Sequence, residues 1–176
     1  MARLGCKCGS DMCTSDSPSP YMLDIYYASE IRQVLANDPD IKLHDFLMGW
    51  SEKEGCQKEY RQRSEPVEYW YCTECQRVYE VQAVQGGRWL RIYKRSDAIS
   101  NADYSHWKLI YVMPDTETDT ATEANLAISL ADYLKQHDAV HYYLSPDETL
   151  ALAVDGATSK PLFCYKLEDS WSPFSK

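Results

Sequence analysis

The sequence has few glycines, no long apolar run and fewer basic than acidic residues. Only seven of its 176 residues are glycine, and they form no phosphate-binding motif. Uncharged stretches are far shorter than the roughly 20 apolar residues of a membrane-spanning helix, so no such helix is predicted. With 18 Lys plus Arg against 27 Asp plus Glu, the formal net charge is −9. This acidity disfavours nucleic acid and anionic membranes as main partners.

The remaining composition is that of a globular protein. Apolar residues make up 44% and charged residues 26%, and the length fits one large domain or two small ones. Residues 1–10 contain no apolar run typical of a signal peptide, so a cytoplasmic, reducing environment is expected. Seven cysteines are an odd number and two pairs are closely spaced, which indicates metal binding before disulfides.

Closely spaced cysteines at two places predict a zinc site. Cys6 and Cys8 lie near the start, and Cys72 and Cys75 follow a predicted strand at residues 67–71. A β-hairpin is predicted next, over residues 77–83 and 88–94, because the intervening glycines suit a tight turn. A turn that projects two sulfurs to one side can hold Zn²⁺ at about 2.3 Å from each, and a second pair completes the tetrahedron.

The long spacer between the two pairs, residues 9–71, does not exclude this site. A strand at residues 21–27 and a short helix with Ile31, Val34 and Leu35 on one face are predicted within it. Closing such a loop costs about 1.4 kcal/mol more than closing a loop of about 13 residues. Structural zinc contributes roughly 10–16 kcal/mol in small peptides, which is far more.

A redox-active or metal-free pair at Cys72 and Cys75 is the alternative. Redox pairs of this spacing normally open a helix after a strand, whereas here the sequence continues as a strand. We therefore expect one structural Zn²⁺ per chain, bound by Cys6, Cys8, Cys72 and Cys75. The other three cysteines, Cys13, Cys56 and Cys164, have no assigned role.

A resemblance to known proteins rests on two segments, Cys6-Lys7-Cys8-Gly9 and Trp70-Tyr71-Cys72-Thr73-Glu74-Cys75-Gln76-Arg77-Val78-Tyr79. Over roughly residues 3–95 the chain resembles a group of small, uncharacterised bacterial zinc-ribbon proteins. Those proteins similarly place a strand and a helix between two cysteine pairs and end after the hairpin. The resemblance implies a metal and a topology, and it implies no activity.

A second pattern begins after residue 103, where the acidic excess is also larger. A strand at residues 107–113 is followed by an acidic loop containing Asp115, Glu117 and Asp119, and by a helix through His137 with Thr120 and Glu123 as a capping box. Three strands follow, at residues 140–144, 149–154 and 162–167. The predicted fold class is α+β, with a zinc-ribbon β-hairpin unit (1–97) that contains a strand-helix insertion, and an acidic β-α-β-β-β unit with an antiparallel sheet (104–170).

Catalytic patterns are weak in this sequence, so a non-enzymatic protein is predicted. Cys164 could act as a nucleophile with His137 or His141 as base, but a cysteine between Phe163 and Tyr165 is more often a packing residue. No carboxylate pair has a spacing typical of acid-base catalysis.

The second strand of the predicted hairpin offers an alternative function. Strand alternation places Trp89, Arg91, Tyr93 and Arg95 on one face, and interleaved aromatic and basic residues are typical of surfaces that stack on single-stranded nucleic acid. The competing interpretation pairs Arg91 with Glu80 across the hairpin and buries Trp89. The net charge favours the competing interpretation.

The sequence thus predicts a zinc-binding protein that acts through protein–protein interaction, as an inhibitor or immunity-type protein with a basic partner. Fourteen tyrosines suit this function because tyrosine is enriched at binding hot spots. A nucleic-acid-associated zinc ribbon is the second hypothesis and a thiol-dependent enzyme the third.

Overall fold

The computed structural model describes residues 3–13, 19–48, 50–52, 58–60, 63–64, 67–82, 88–97, 103–114 and 127–170. Within these ranges the strands are β1 (Arg3–Gly5), β2 (Asp11–Cys13), β3 (Met22–Tyr27), β4 (Trp50–Glu52), β5 (Lys58–Tyr60), β6 (Arg63–Ser64), β7 (Val67–Tyr71), β8 (Arg77–Gln82), β9 (Arg88–Ser96), β10 (Lys108–Pro114), β11 (Val140–Leu144), β12 (Leu150–Asp155) and β13 (Pro161–Ser170). The helices are α1 (Ala28–Asn37), α2 (Leu43–Met48) and α3 (Leu130–Gln136). None of the described helices has the length and apolar character needed to cross a membrane.

Eight strands form a closed antiparallel barrel. Their order around it is β3-β7-β8-β9-β13-β12-β11-β10, and β10 closes the circle by pairing with β3. Among the described residues, two small sheets are not hydrogen-bonded into the barrel: the β1–β2 hairpin, and a three-stranded sheet of β4, β5 and β6. Closure leaves every barrel strand paired on both sides, so the barrel has no exposed edge strand.

Strand alternation gives the barrel an inner and an outer layer of side chains. On β8, Val78 lines the interior, whereas its neighbour Tyr79 packs outward against Cys6 and Trp70. On β3 and β10, Tyr26 and Met113 point outward into a cluster with residues of all three helices. The helices therefore cover one outer side of the barrel, and the β1–β2 hairpin covers another.

The helix that contains Leu130 begins later than the sequence predicted. Ser129 caps α3 by accepting a hydrogen bond from the backbone N–H of Asp132 at 3.1 Å. The predicted capping residues Thr120 and Glu123, and the acidic loop residues Asp115, Glu117 and Asp119, lie outside the described residues, as does Cys56.

The predicted fold class was wrong. The hairpin formed by β8 and β9 is present, but it is two strands of a barrel rather than a separate zinc ribbon. The barrel takes β3, β7, β8 and β9 from before residue 98 and β10 to β13 from after residue 103. The long-range pairs β9–β13 and β3–β10 join the two sets. Such pairings depend on contacts between distant segments, which local periodicity does not reveal.

Candidate metal centre

Two turns of similar design bring the four predicted cysteines together. In the first, the N–H of Gly9 donates to the carbonyl of Cys6 at 2.9 Å, and the N–H of Cys6 donates to that of Ser10 at 2.8 Å. In the second, the N–H of Gln76 donates to the carbonyl of Cys72, and the N–H of Cys72 to that of Arg77, both at 2.8 Å.

Each turn includes one residue with positive φ. Gly9 has a φ of 95° and Gln76 a φ of 58°. Glycine adopts this conformation without steric cost, whereas for glutamine it is sterically unfavourable. The first turn connects β1 to β2, and the second connects β7 to β8, so each cysteine pair is held by the strands on either side of it.

The four sulfurs lie close enough together to share one metal ion. All four Sγ atoms of Cys6, Cys8, Cys72 and Cys75 lie within 4.8 Å of one another. The Cys6 and Cys75 sulfurs are 3.4 Å apart, and those of Cys8 and Cys72 are 3.7 Å apart. Four sulfurs placed about 2.3 Å from one zinc ion at the corners of a tetrahedron are about 3.8 Å apart. All four cysteines are free thiols, and their arrangement can hold a metal ion.

Hydroxyl groups surround three of the sulfurs. The hydroxyl of Tyr79 donates to Cys6 Sγ at 3.1 Å and accepts a hydrogen bond from the backbone N–H of Lys7 at 2.9 Å. The hydroxyl of Ser10 lies 3.1 Å from Cys72 Sγ and 3.2 Å from Cys8 Sγ. Groups that donate to ligand sulfurs orient them and stabilise their charge, as outer-sphere partners do in metal sites generally.

Arg77 and Lys7 link the cysteine turns to strand β13. The guanidinium of Arg77 makes two hydrogen bonds to Glu168, at 2.7 and 2.9 Å. Lys7 forms an exposed ion pair with Asp169 at 2.8 Å. The cysteine centre therefore contacts a strand from the far end of the chain.

The thiol pKa values differ because the cysteines differ in burial and in the hydrogen bonds that their sulfurs receive. Hydrogen bonds from the Ser10 side chain and backbone lower the pKa of the exposed Cys8 to about 6. Burial raises the pKa of Cys6 to about 12, against opposing hydrogen bonds from the Cys8 backbone and Tyr79. For Cys72, burial opposes ionisation, but hydrogen bonds from Ser10 and backbone N–H groups lower the pKa overall. Metal binding requires thiolates, and Cys8 is the one most readily ionised at neutral pH.

The centre lies on the outer surface of the barrel against an apolar cluster. Cys6 and Cys72 are buried in it with Met12, Trp70 and Ile92. Cys8 is exposed and Cys75 partly exposed, so one side of the centre faces solvent. Met12 of β2 is fully buried, which makes it the main apolar contact of the N-terminal hairpin in this cluster.

The other predicted site residues do not form one exposed face. Arg91 and Tyr93 point into the barrel, where Tyr93 is 3% exposed and Arg91 Nε lies 3.2 Å from Glu80. Trp89 packs outward in the cluster around Cys6, because a register shift after Glu80 reverses the alternation. The guanidinium of Arg95 stacks on the ring of Phe163 at 4.0 Å. The pairing of Arg91 with Glu80 is as the competing interpretation predicted.

Cys164 does not belong to the centre. Cys164 is fully buried in a cluster with Leu152 and Val154, and its thiol donates to the carbonyl of Ser96 at 3.5 Å. In the described part of the chain, His137 hydrogen-bonds the Tyr133 carbonyl and His141 the Asp138 carboxylate. Neither of these contacts involves Cys164.

Sequence reasoning missed Ser10 and Tyr79 as partners of the sulfurs, and Arg77 as the link from the second turn to β13. A signal was present, because Ser10 follows Cys8 by two residues and Tyr79 is on the strand that leaves the second turn. Alternation on β8 sets Arg77 and Tyr79 on the same outward side as the cysteines.

Fold and site together define a closed β-barrel protein with a four-cysteine centre that can hold a metal. The chain belongs to the family described as Domain of unknown function (DUF8617), whose model matches residues 2–97. All four cysteines of the centre fall inside the matched range. Comparison with curated proteins and with solved structures gives no significant match.

Proposed function

We propose that the protein binds one structural Zn²⁺ through Cys6, Cys8, Cys72 and Cys75. The observation that carries this proposal is the spacing of the four Sγ atoms, all within 4.8 Å. Four thiolates in tetrahedral arrangement favour Zn²⁺ or iron over harder metals. Because cysteine sulfurs occupy all four positions, no coordination site is left for a substrate, which is the mark of a structural zinc site.

The metal joins two segments that are far apart in the sequence. Cys6 and Cys8 belong to the turn of the β1–β2 hairpin, and Cys72 and Cys75 to the β7–β8 turn of the barrel. Zinc therefore fastens the N-terminal hairpin to the barrel wall. The role we assign to it is stability of the fold rather than catalysis.

Purified full-length protein should contain one zinc per chain, measured by native mass spectrometry and elemental analysis. Cys72→Ser should lose the zinc, because serine is a poor zinc ligand and the site needs four thiolates. Cys13→Ser is the matched control, since Cys13 lies in the same hairpin as Cys6 but outside the cluster. Zinc-free wild type after growth with zinc, or equal zinc in both variants, would contradict the proposal.

We further propose that this metal-stabilised barrel acts without catalysis, by binding a protein partner with a basic surface. The formal net charge of −9 supports this. So does the exposure of carboxylates in the second half of the chain: the side chains of Asp132 and Asp138 are 59% and 63% exposed. We do not propose nucleic acid as the partner, because Arg91 and Tyr93 face the barrel interior.

Affinity capture with the tagged full chain should recover one stoichiometric basic protein at about 50 mM salt and lose it at about 500 mM, because salt screens exposed charges. Reversing two exposed charges with Asp132→Lys and Asp138→Lys should weaken capture at least tenfold. Asp132→Glu with Asp138→Glu keeps the charges and should retain the partner. Recovery of no stoichiometric protein, or recovery unaffected by charge reversal, would refute this function.

A further inference from the structure

The interior of the barrel contains a cavity that side chains do not fill. Its volume is about 80 Å³, it is partly open to solvent, and all eight barrel strands contribute to its lining. Eight-stranded barrels are just wide enough either to be filled by side chains or to hold one small ligand. This barrel therefore leaves room for a ligand in its interior.

The wall of this cavity carries no charge. Aliphatic side chains such as Leu23, Ile110 and Leu144 make up most of it, and tyrosine rings complete it. None of the described residues that line it is ionised at neutral pH. The inward-facing ions Glu80 and Arg91 are not part of the lining, and they lie 3.2 Å from each other. An ion that entered this space would lose its hydration without gaining a counterion, which is unfavourable.

Three of the tyrosines in the wall are held in place by contacts with residues outside the lining. The hydroxyl of Tyr93 donates to the carbonyl of Glu148 at 2.9 Å. The rings of Tyr142 and Tyr165 contact the ring of Phe163, with centroids 6.5 and 5.8 Å apart. Side chains anchored in this way cannot readily move inward to fill the space, and such surroundings relax only partially around a cavity. The cavity is therefore a preformed site.

We propose that the barrel interior binds one small, uncharged, nonpolar molecule of about three non-hydrogen atoms. The lining sets the chemistry, because dry apolar cavities take up nonpolar molecules. The volume sets the size: an apolar cavity of about 150 Å³ holds the six carbons of benzene, so about 80 Å³ suits about three. The partial opening gives the molecule access from solvent.

This site is separate from the metal centre. On β8, Val78 lines the cavity, whereas its neighbour Tyr79 points outward and packs in the cluster around Cys6. The wall of the barrel thus lies between the two sites. The inference does not rest on the proposed function, and its test is independent of it.

A nonpolar molecule and a charged one of the same shape test the chemistry of the site. The full-length protein, as purified, is titrated with propane under increasing pressure and with dimethylammonium, which replaces the central carbon of propane by a cationic nitrogen. We expect saturable NMR shifts of the Ala151, Ile110 and Leu144 methyl groups with propane, at an affinity at least about tenfold higher than for dimethylammonium. The methyl groups of Leu130, which is buried outside the barrel against the helices, should not shift. Equal affinity for the two compounds, or propane shifts that do not saturate, would overturn the proposal.

A larger hydrocarbon separates a cavity of fixed size from general adsorption to apolar surface. Adsorption strengthens with each added carbon, because more apolar area leaves water. The cavity should instead bind propane more tightly than cyclohexane, whose six carbons exceed its volume. Tighter binding of cyclohexane at the same methyl groups would contradict the assignment.

A cavity-filling variant tests the location without changing any charge. Ala151→Leu places three more carbon atoms in the cavity and should lower propane affinity at least about tenfold, because two groups cannot occupy the same space. Ala157→Leu makes the same change at an exposed turn and should leave the affinity unchanged. If both variants bind propane as the wild type does, propane binds elsewhere and the assignment fails. Should Ala151→Leu fold poorly, the comparisons of the three compounds on the wild type decide alone.

Discussion

Removal of the metal from the full chain should lower its free energy of unfolding by about 4 kcal/mol, measured with free zinc at about 1,000 times its Kd before removal. The β1–β2 hairpin pairs with no barrel strand, and an isolated two-stranded hairpin is marginally stable at best. Without the metal, its contact with the barrel rests on the burial of Met12 and Cys6 and on the contacts of Lys7 with Tyr79 and Asp169. Hydrogen exchange should therefore show the backbone amides of Leu4 and Met12 losing protection first.

Two controls distinguish local loss of the hairpin from unfolding of the whole barrel. Amides of β11 and β12, on the opposite side of the strand order from β7 and β8, should keep their protection after chelation. Cys13→Ser should unfold like the wild type in the presence of zinc, because its thiol is outside the cluster. Unchanged protection in β1 and β2 after complete zinc removal would show that the metal does not fasten the hairpin.

The second large effect is expected inside the barrel, at Arg91. Arg91→Met keeps the aliphatic stem but removes the cation that lies between Glu80 and Glu148. Breaking a buried ion pair from one side costs about 3–5 kcal/mol. Because the Arg91 side chain is 31% exposed, we expect about 3 kcal/mol at pH 8, measured by urea unfolding.

The loss of stability caused by Arg91→Met should become smaller as the pH falls. Burial raises the pKa of Glu80 above its ordinary value, against the opposing charge of Arg91. A carboxyl whose pKa is higher in the folded state favours folding at low pH, and its charged form costs stability as the pH rises through the folded pKa. Without Arg91 that pKa rises further, so the difference between variant and wild type should shrink from pH 8 to pH 5.

Lys94→Met is the matched control for this variant. Lys94 is on the same strand but exposed, so its replacement should change stability by less than about 0.5 kcal/mol at either pH. An Arg91→Met protein as stable as the control at pH 8, or one whose deficit grows towards pH 5, would refute the role given to the Glu80–Arg91 pair.

The cysteine turns could be predicted because they are local. The residues around Cys72 and Cys75 specify a turn between two strands. The close spacing of Cys6 and Cys8 alone indicates that they supply the other two ligands. What periodicity could not supply is the partner of each strand. β9 pairs with β13 across about 70 residues of chain, and no pattern in either segment indicates that the two strands pair.

The side chain of Trp89 shows a second reason why a prediction from the sequence failed. Alternation groups Trp89 with Arg91, but the register shift between Glu80 and Val81 inserts one residue and turns Trp89 outward. A bulge of this kind has no strong sequence signal, yet it reverses every assignment beyond it. The cross-strand pairing of Glu80 with Arg91 was predictable because it precedes the shift.

The order of strands around the barrel also fixes the order in which a growing chain can complete its structure. The cysteine centre needs only the residues up to Arg77, whereas β9 stays an open edge until β13, which ends at Ser170, has been made. At a synthesis rate of roughly 5–20 residues per second, these two events are separated by about 5–20 s. During that interval β9 is an unpaired strand edge, and so is β3 until β10 has been made; such edges are templates for association with other chains. A chaperone that shields those edges would therefore act on this protein during its synthesis rather than afterwards.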